Sequence, residues 1–177
     1  MPQKTIPLGR FLGLELRAVP SAAAGSALIW LALALAGRAA LQLDWAQALL
    51  GGLIGTLLHW LGELWHHVGH ARAARKTGYP MTGVELFWIF GRSLYPADEP
   101  ELPAKTHIRR ALGGWPFSVM LAAVGGVLVL WLRTAPPLVF GLAVFFCAEN
   151  LFVFGLGAFL PLGFTDGSTL LKYWGKQ

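Results

Sequence analysis

Long apolar runs separated by short polar stretches organise this chain. A helix needs about 20 apolar residues to cross the hydrocarbon core of a bilayer. Four stretches approach that length: Ser21 to Leu41, Trp45 to Ala71, Ala111 to Leu132 and Pro137 to Phe164. Each predicts a membrane helix. Arg38, near the end of the first, snorkels to the interface, and the second is long enough to tilt. Between the second and third lies a polar segment, residues 72–110, punctuated by Gly78, Pro80, Gly91, Pro96, Pro100 and Pro103. Such punctuation predicts turns and short strands rather than a helix. Within it, Thr82 to Phe90 (TGVELFWIF) has the aromatic and branched residues of a strand or an interfacial hairpin. The expected fold is an all-α polytopic membrane protein. It forms a single membrane domain over residues 1–177, with four helices and a cytoplasmic segment of short strands and turns.

Composition agrees. The chain is 55% hydrophobic and 13% charged, where a soluble domain carries about a quarter charged residues. Lipid is therefore the solvent for most of it. Cys147 is the single cysteine, so an internal disulfide is excluded. No compact apolar region with a small-residue cleavage site follows Lys4 and Arg10, so the first helix is expected to act as its own insertion signal. Gly51 and Gly55 form a G-x-x-x-G pair, which permits close helix approach inside the bundle. The chain has no internal repeat of 20–50 residues.

The net charge of +5 is not spread evenly. Twelve of the fourteen Lys and Arg residues fall in the N-terminal tail, the 72–110 segment and the C-terminal tail, leaving Arg38 and Arg133 opposite. By the positive-inside rule both termini and the middle segment face the cytoplasm. Nucleic acid is not an expected partner, because the basic residues mark topology and lack interleaved base-stacking aromatics. Membrane lipid is.

Candidate chemistry lies on the second helix, which carries His59, His66, His67 and His70 with Glu63 among them. At about 100° per residue these five side chains share one stripe about 100° wide. Ionisable groups inside a membrane are costly and face the bundle interior, a partner or a water pocket. His66 and His70, four apart, can reach one ion from adjacent turns. On the fourth span, Asp166 follows Pro161 and precedes Gly167. The proline opens the helix and the glycine lets the carboxylate turn into the bundle, supplying a third ligand. Glu149 and Asn150 are further polar residues at mid-span. His107, beside Arg109 and Arg110, is expected at lipid phosphates.

Together these residues resemble the site-2 protease family of intramembrane zinc metalloproteases. That family carries H-E-x-x-H on one membrane helix, and N-x-x-P followed by L-D-G on a later one. Here His66-His67-Val68-Gly69-His70 occupies the first position and Pro161 to Asp166 keeps the interval of the second. The Ala/Arg-rich turn from Ala71 to Pro80, the lead-in Ile6 to Leu14, and Ala111 to Pro116 also look like the family's text. The resemblance implies Zn2+ held by His66, His70 and Asp166. It departs where the general base should stand, since His67 replaces the glutamate. Ala158 also replaces the asparagine, and Thr165 the leucine, of the later motif. The implied protein is a non-hydrolytic or weakly active relative that binds the membrane helices of partner or substrate proteins, or serves as a complex subunit. The alternative is an active protease whose base is Glu63, or His67 itself. A reading of another class, a haem or redox-metal bundle, would draw ligands from two helices, yet the only histidine off the second helix is His107. A di-iron site lacks its second E-x-x-H, and the repeats typical of a transporter are not evident.

The charge asymmetry generates a topology prediction. Reporter fusions placed after Arg133 and at the C-terminus should report opposite sides of the membrane. Agreement between them would refute the four-span arrangement.

Overall fold

The computed structural model describes residues 4–176. Helix α1 (Ser21–Ala40) and helix α2 (Trp45–Lys76) form an antiparallel pair. The Asp44 carboxylate starts α2 by accepting the Gln47 N–H at 2.8 Å. Helices α3 (Ala104–Ala111) and α4 (Gly114–Trp131) form the third span, and α5 (Pro137–Ala148) begins the fourth. The fourth continues as a π-helical segment, Glu149–Leu156, and one 3-10 turn, Gly157–Phe159. A short helix α6 (Asp166–Tyr173) follows. Among the described residues, four helices are long and apolar enough to cross a membrane: Ser21–Ala40, Trp45–Lys76, Ala104–Trp131 and Pro137–Phe159. The chain is a multi-pass membrane protein.

Three boundaries differ from the sequence reading, each for a local reason. Helix α2 continues through Arg75 and Lys76, whose charges suit a helix C-terminus. The third span begins early, as α3, so the 72–110 segment is helical at both ends. The fourth span stops at Phe159, since Leu160 precedes Pro161 and is extended, with φ −67° and ψ 136°.

The strands form one four-stranded sheet in the order β1-β2-β3-β4. Strands β1 (Ile6–Phe11) and β2 (Leu14–Ala18) make a hairpin, β2 pairs in parallel with β3 (Gly83–Phe87), and β3 pairs antiparallel with β4 (Phe90–Leu94). The N-terminal hairpin is an addition to the expected segment. Its signal was Gly13 in a two-residue turn, where φ is +86°. One cross-strand row carries Arg17, Glu85 and Arg92 in register. The buried Glu85 carboxylate binds Arg17 at 2.9 Å and Arg92 at 2.5 Å, which locks the three strands.

Glycines set the helix spacing. A Cβ on Gly52 would stand 2.5 Å from the Trp30 carbonyl oxygen and one on Gly55 2.6 Å from Leu33 Cδ1, both on α1, whereas one on Gly51 would meet Leu138 Cδ1 of α5 at 2.5 Å, so the Gly51–Gly55 pair packs within the bundle. Helices α2 and α4 touch at Gly69, where a Cβ would lie 2.3 Å from the Gly113 carbonyl oxygen.

The turn between β3 and β4 enters the bundle. Its Ile89 carbonyl accepts a hydrogen bond from His59 Nε2 at 3.0 Å. His59 lies about 16 Å along α2 from His70 at 1.5 Å per residue. The Trp88 N–H donates to Ser21 Oγ at 3.3 Å, and the Gly91 N–H donates to Glu63 Oε1. Non-helical backbone packed among helices needs protein groups to satisfy its N–H and C=O; His59, Glu63 and Ser21 do so here.

The Trp88 carbonyl rests on Gly25, where an added Cβ would stand 2.1 Å from that oxygen. Overpacking against backbone costs about 1–3 kcal/mol. Gly25→Ala should therefore lower the thermal midpoint in detergent, although alanine is the better helix former. A midpoint equal to or above wild type would show that the turn does not rest there.

Candidate metal centre

The site forms where α2 meets the start of α4 and the start of α6. His66 and His70, one helical turn apart, present their Nε2 atoms 2.9 Å from each other. Asp166 opens α6 and straddles them, with Oδ2 3.3 Å from His66 Nε2 and Oδ1 3.4 Å from His70 Nε2. One ligand atom from each residue lies within 4.8 Å of the others. Both histidines are buried and Asp166 is nearly so.

Two features return the chain so that Asp166 faces back into the bundle. After Phe159 the extended Leu160 and Pro161 break the span. Gly167 then packs against the Phe159 carbonyl, which a Cβ would meet at 2.0 Å. Helix α6 docks on α3, with His107 stacked on Tyr173 at 4.1 Å between ring centroids and 10° between planes.

Hydrogen bonding decides which nitrogens are free. His70 Nδ1 lies 2.8 Å from the Arg110 carbonyl oxygen. A carbonyl only accepts, so Nδ1 carries the hydrogen and Nε2 of the neutral ring presents its lone pair. His66 Nδ1 is 2.8 Å from Ser118 Oγ. With Ser118 Oγ accepting from His66 Nδ1–H, two imidazole lone pairs and a carboxylate converge on one point, an arrangement suited to a divalent cation at its centre. The donor set, two imidazoles and one carboxylate with an outer partner on each ring, suits zinc.

Space for the two rings is left by Gly114. A Cβ built on it would stand 2.3 Å from His66 Nε2, 2.4 Å from His66 Cε1 and 2.6 Å from His70 Nε2. The missing side chain thus lets α4 approach the two imidazoles without displacing them. The 2.9 Å between the two nitrogens leaves no room for a macrocycle between His66 and His70.

The other polar residues have different places. His67 is outside the convergent set: its Nδ1 donates to the Glu63 carbonyl at 2.9 Å and its ring packs against Gly91. Glu63 Oε1 accepts the Gly91 N–H and lies 3.8 Å from His67 Nδ1, so this carboxylate holds the hairpin turn. Glu149 pairs with His59, Oε1 to Nδ1 at 2.7 Å, while Thr56 bonds to the Gly52 carbonyl instead. Asn150 is fully buried and its Nδ2 donates to the Phe146 carbonyl at 2.9 Å. The sequence reading missed Ser118, the Arg110 carbonyl and Gly114. Ser118 carried the faint signal of a hydroxyl in an apolar span; a carbonyl and an absent side chain carry none.

Gly114→Ala should abolish zinc binding, read as metal content of the folded, monodisperse fraction. Gly126→Ala, whose Cβ would meet only Cys147 Sγ at 4.0 Å, should keep the wild-type content. Full zinc occupancy in Gly114→Ala would show that the ion is not held by these two rings.

No protein-family model matches this sequence, and no curated protein does. Among solved structures, the fold is similar to that of the Site-2 Protease from Methanocaldococcus jannaschii, with a TM-score of 0.65 and 16% sequence identity. The match covers 96% of this chain and 70% of that one. The fold is that of a site-2-protease-like polytopic membrane protein.

Proposed function

We propose that this chain is an intramembrane zinc-binding protein of the site-2-protease kind that hydrolyses peptides weakly or not at all. It engages membrane-spanning segments of other proteins, and its termini and sheet face the cytoplasm. The observation that carries this reading is the convergence of His66, His70 and Asp166 beside Gly114, with an imidazole rather than a carboxylate at position 67.

A divalent cation held there supplies Lewis-acid polarisation and acidifies water. The chain's own residues supply the rest. Ser118 and the Arg110 carbonyl orient the two ligand rings. The Glu63 carbonyl holds the His67 ring. A carboxylate that accepts a proton becomes neutral. An imidazole that does so becomes a cation beside a dication, and Coulomb repulsion opposes it. His67 is therefore a poor proton acceptor for hydrolysis. Glu63 is already the acceptor for Gly91, and its removal would free the hairpin turn before it touched any chemistry. Because the site lies among the spans, a ligand reaching it through lipid is itself a membrane segment.

The test measures metal content of the purified protein together with cleavage of a model membrane helix in vesicles. His67→Glu should create or raise metal-dependent cleavage, toward the roughly 10²-fold or more that a placed general base contributes. Glu63→Gln, which keeps an acceptor for Gly91, should change little. Strong wild-type cleavage that vanishes in Glu63→Gln would overturn the weak-hydrolysis reading and make Glu63 the base.

A further inference from the structure

The Arg110 carbonyl that orients His70 belongs to a residue whose own side chain is anchored in the loop between β4 and α3. Arg110 is buried, with 4% of its surface exposed. Its Nη1 donates to Glu99 Oε2 at 2.9 Å and its Nη2 to Glu99 Oε1 at 2.5 Å. Nη2 also donates to the Tyr79 carbonyl at 2.6 Å, and the guanidinium lies 4.1 Å above the Tyr95 ring. One side chain thus gathers the segment after α2, the segment after β4, the Glu99 loop and the end of α3. A bidentate guanidinium–carboxylate pair fixes orientation as well as distance. Hydrogen bonding from Arg110 holds the Glu99 carboxyl below the usual carboxylate range.

The backbone completes the connection. Helix α3 ends at Ala111, and the Gly113 N–H bonds to the Arg110 carbonyl at 3.0 Å in the tight three-residue manner. That leaves the second lone pair of the same oxygen for His70 Nδ1. His66 differs, because its partner is Ser118 on α4, away from the clamp.

We propose that Glu99 is a positioning residue for the metal site: through the Arg110 side chain it fixes the carbonyl that sets the tautomer and direction of His70. The proposal rests on the zinc-binding reading above and deepens it, making one loop carboxylate govern one of the two ring ligands. Loss of the Glu99 charge leaves the Arg110 guanidinium buried without its partner, and the carbonyl on the same residue moves with it.

The experiment uses the full chain in detergent micelles and reads two quantities. The first is zinc affinity by competition with a chromophoric chelator. Glu99→Gln should weaken it by about 10–100-fold, the usual effect of losing an outer partner of a ligating histidine. Glu101→Gln, in the same loop and exposed, should stay within about twofold of wild type on the same principle. The second is the 15N–1H signal of each histidine in metal-free protein. In Glu99→Gln the His70 Nδ1–H signal should shift or split while His66 keeps its own. Arg110→Lys, which keeps the charge and loses the bidentate pair, should reproduce that selective change, and it serves where Glu99→Gln does not fold. Unchanged zinc affinity in Glu99→Gln, or equal change at His66 and His70, would overturn the proposal. A wild-type protein that binds no zinc would instead sink the metal reading, while the metal-free His70 signal still decides the clamp.

Discussion

Irregular backbone packed against helices needs protein groups to take up its N–H and C=O. The turn between β3 and β4 is such backbone, and its needs dictate much of the surrounding structure. His59 takes the Ile89 carbonyl, Glu63 takes the Gly91 N–H and Ser21 takes the Trp88 N–H. His59 is in turn bound by Glu149, at the start of the π-helical segment. The first, second and fourth spans are therefore tied to one turn by polar contacts that hydrocarbon cannot replace.

The polar stripe of α2 consequently serves two levels. Its first part, His59 and Glu63, supports the turn. Its last part, His66 and His70, meets Asp166. His67 lies between them, bonded to the Glu63 carbonyl and flanked by the hairpin, where a Cβ on Gly91 would stand 2.6 Å from its Cε1. His67 is thus walled by backbone on one side. A stripe that looks uniform on a helical projection divides into a structural half and a ligand half once a second element lies against it.

The cluster of His66, His70 and Asp166 depends on close approach as much as on its side chains. Gly69 and Gly113 bring α2 and α4 together, and Gly114 leaves room for the two imidazole rings. Asp166 reaches that point because Pro161 ends the span and Gly167 lets α6 fold back on Phe159. Glu99 and Arg110 then hold the end of α3 where its carbonyl meets His70. Ligands, spacing and orientation come from different parts of the chain.

Hydrophobic runs, charge asymmetry and helical periodicity are local properties. For that reason the four spans, the shared face of His59, Glu63, His66, His67 and His70, and the pairing of His66 with His70 could be read from residue order. Pro161 and Gly167 also marked locally where the last span would turn back toward them. The hairpin depth, the partners of Glu63, His59 and Glu149, and the roles of Ser118, Gly114 and the Arg110 carbonyl could not be read that way. Each depends on which distant backbone or side chain comes within hydrogen-bond or van der Waals reach. A carbonyl is present at every residue, and a glycine's empty side differs from another's only by what packs against it. That Glu63 holds the hairpin while Asp166 closes on His66 and His70 was decided by tertiary contact, because both carboxylates were candidates for chemistry in the sequence.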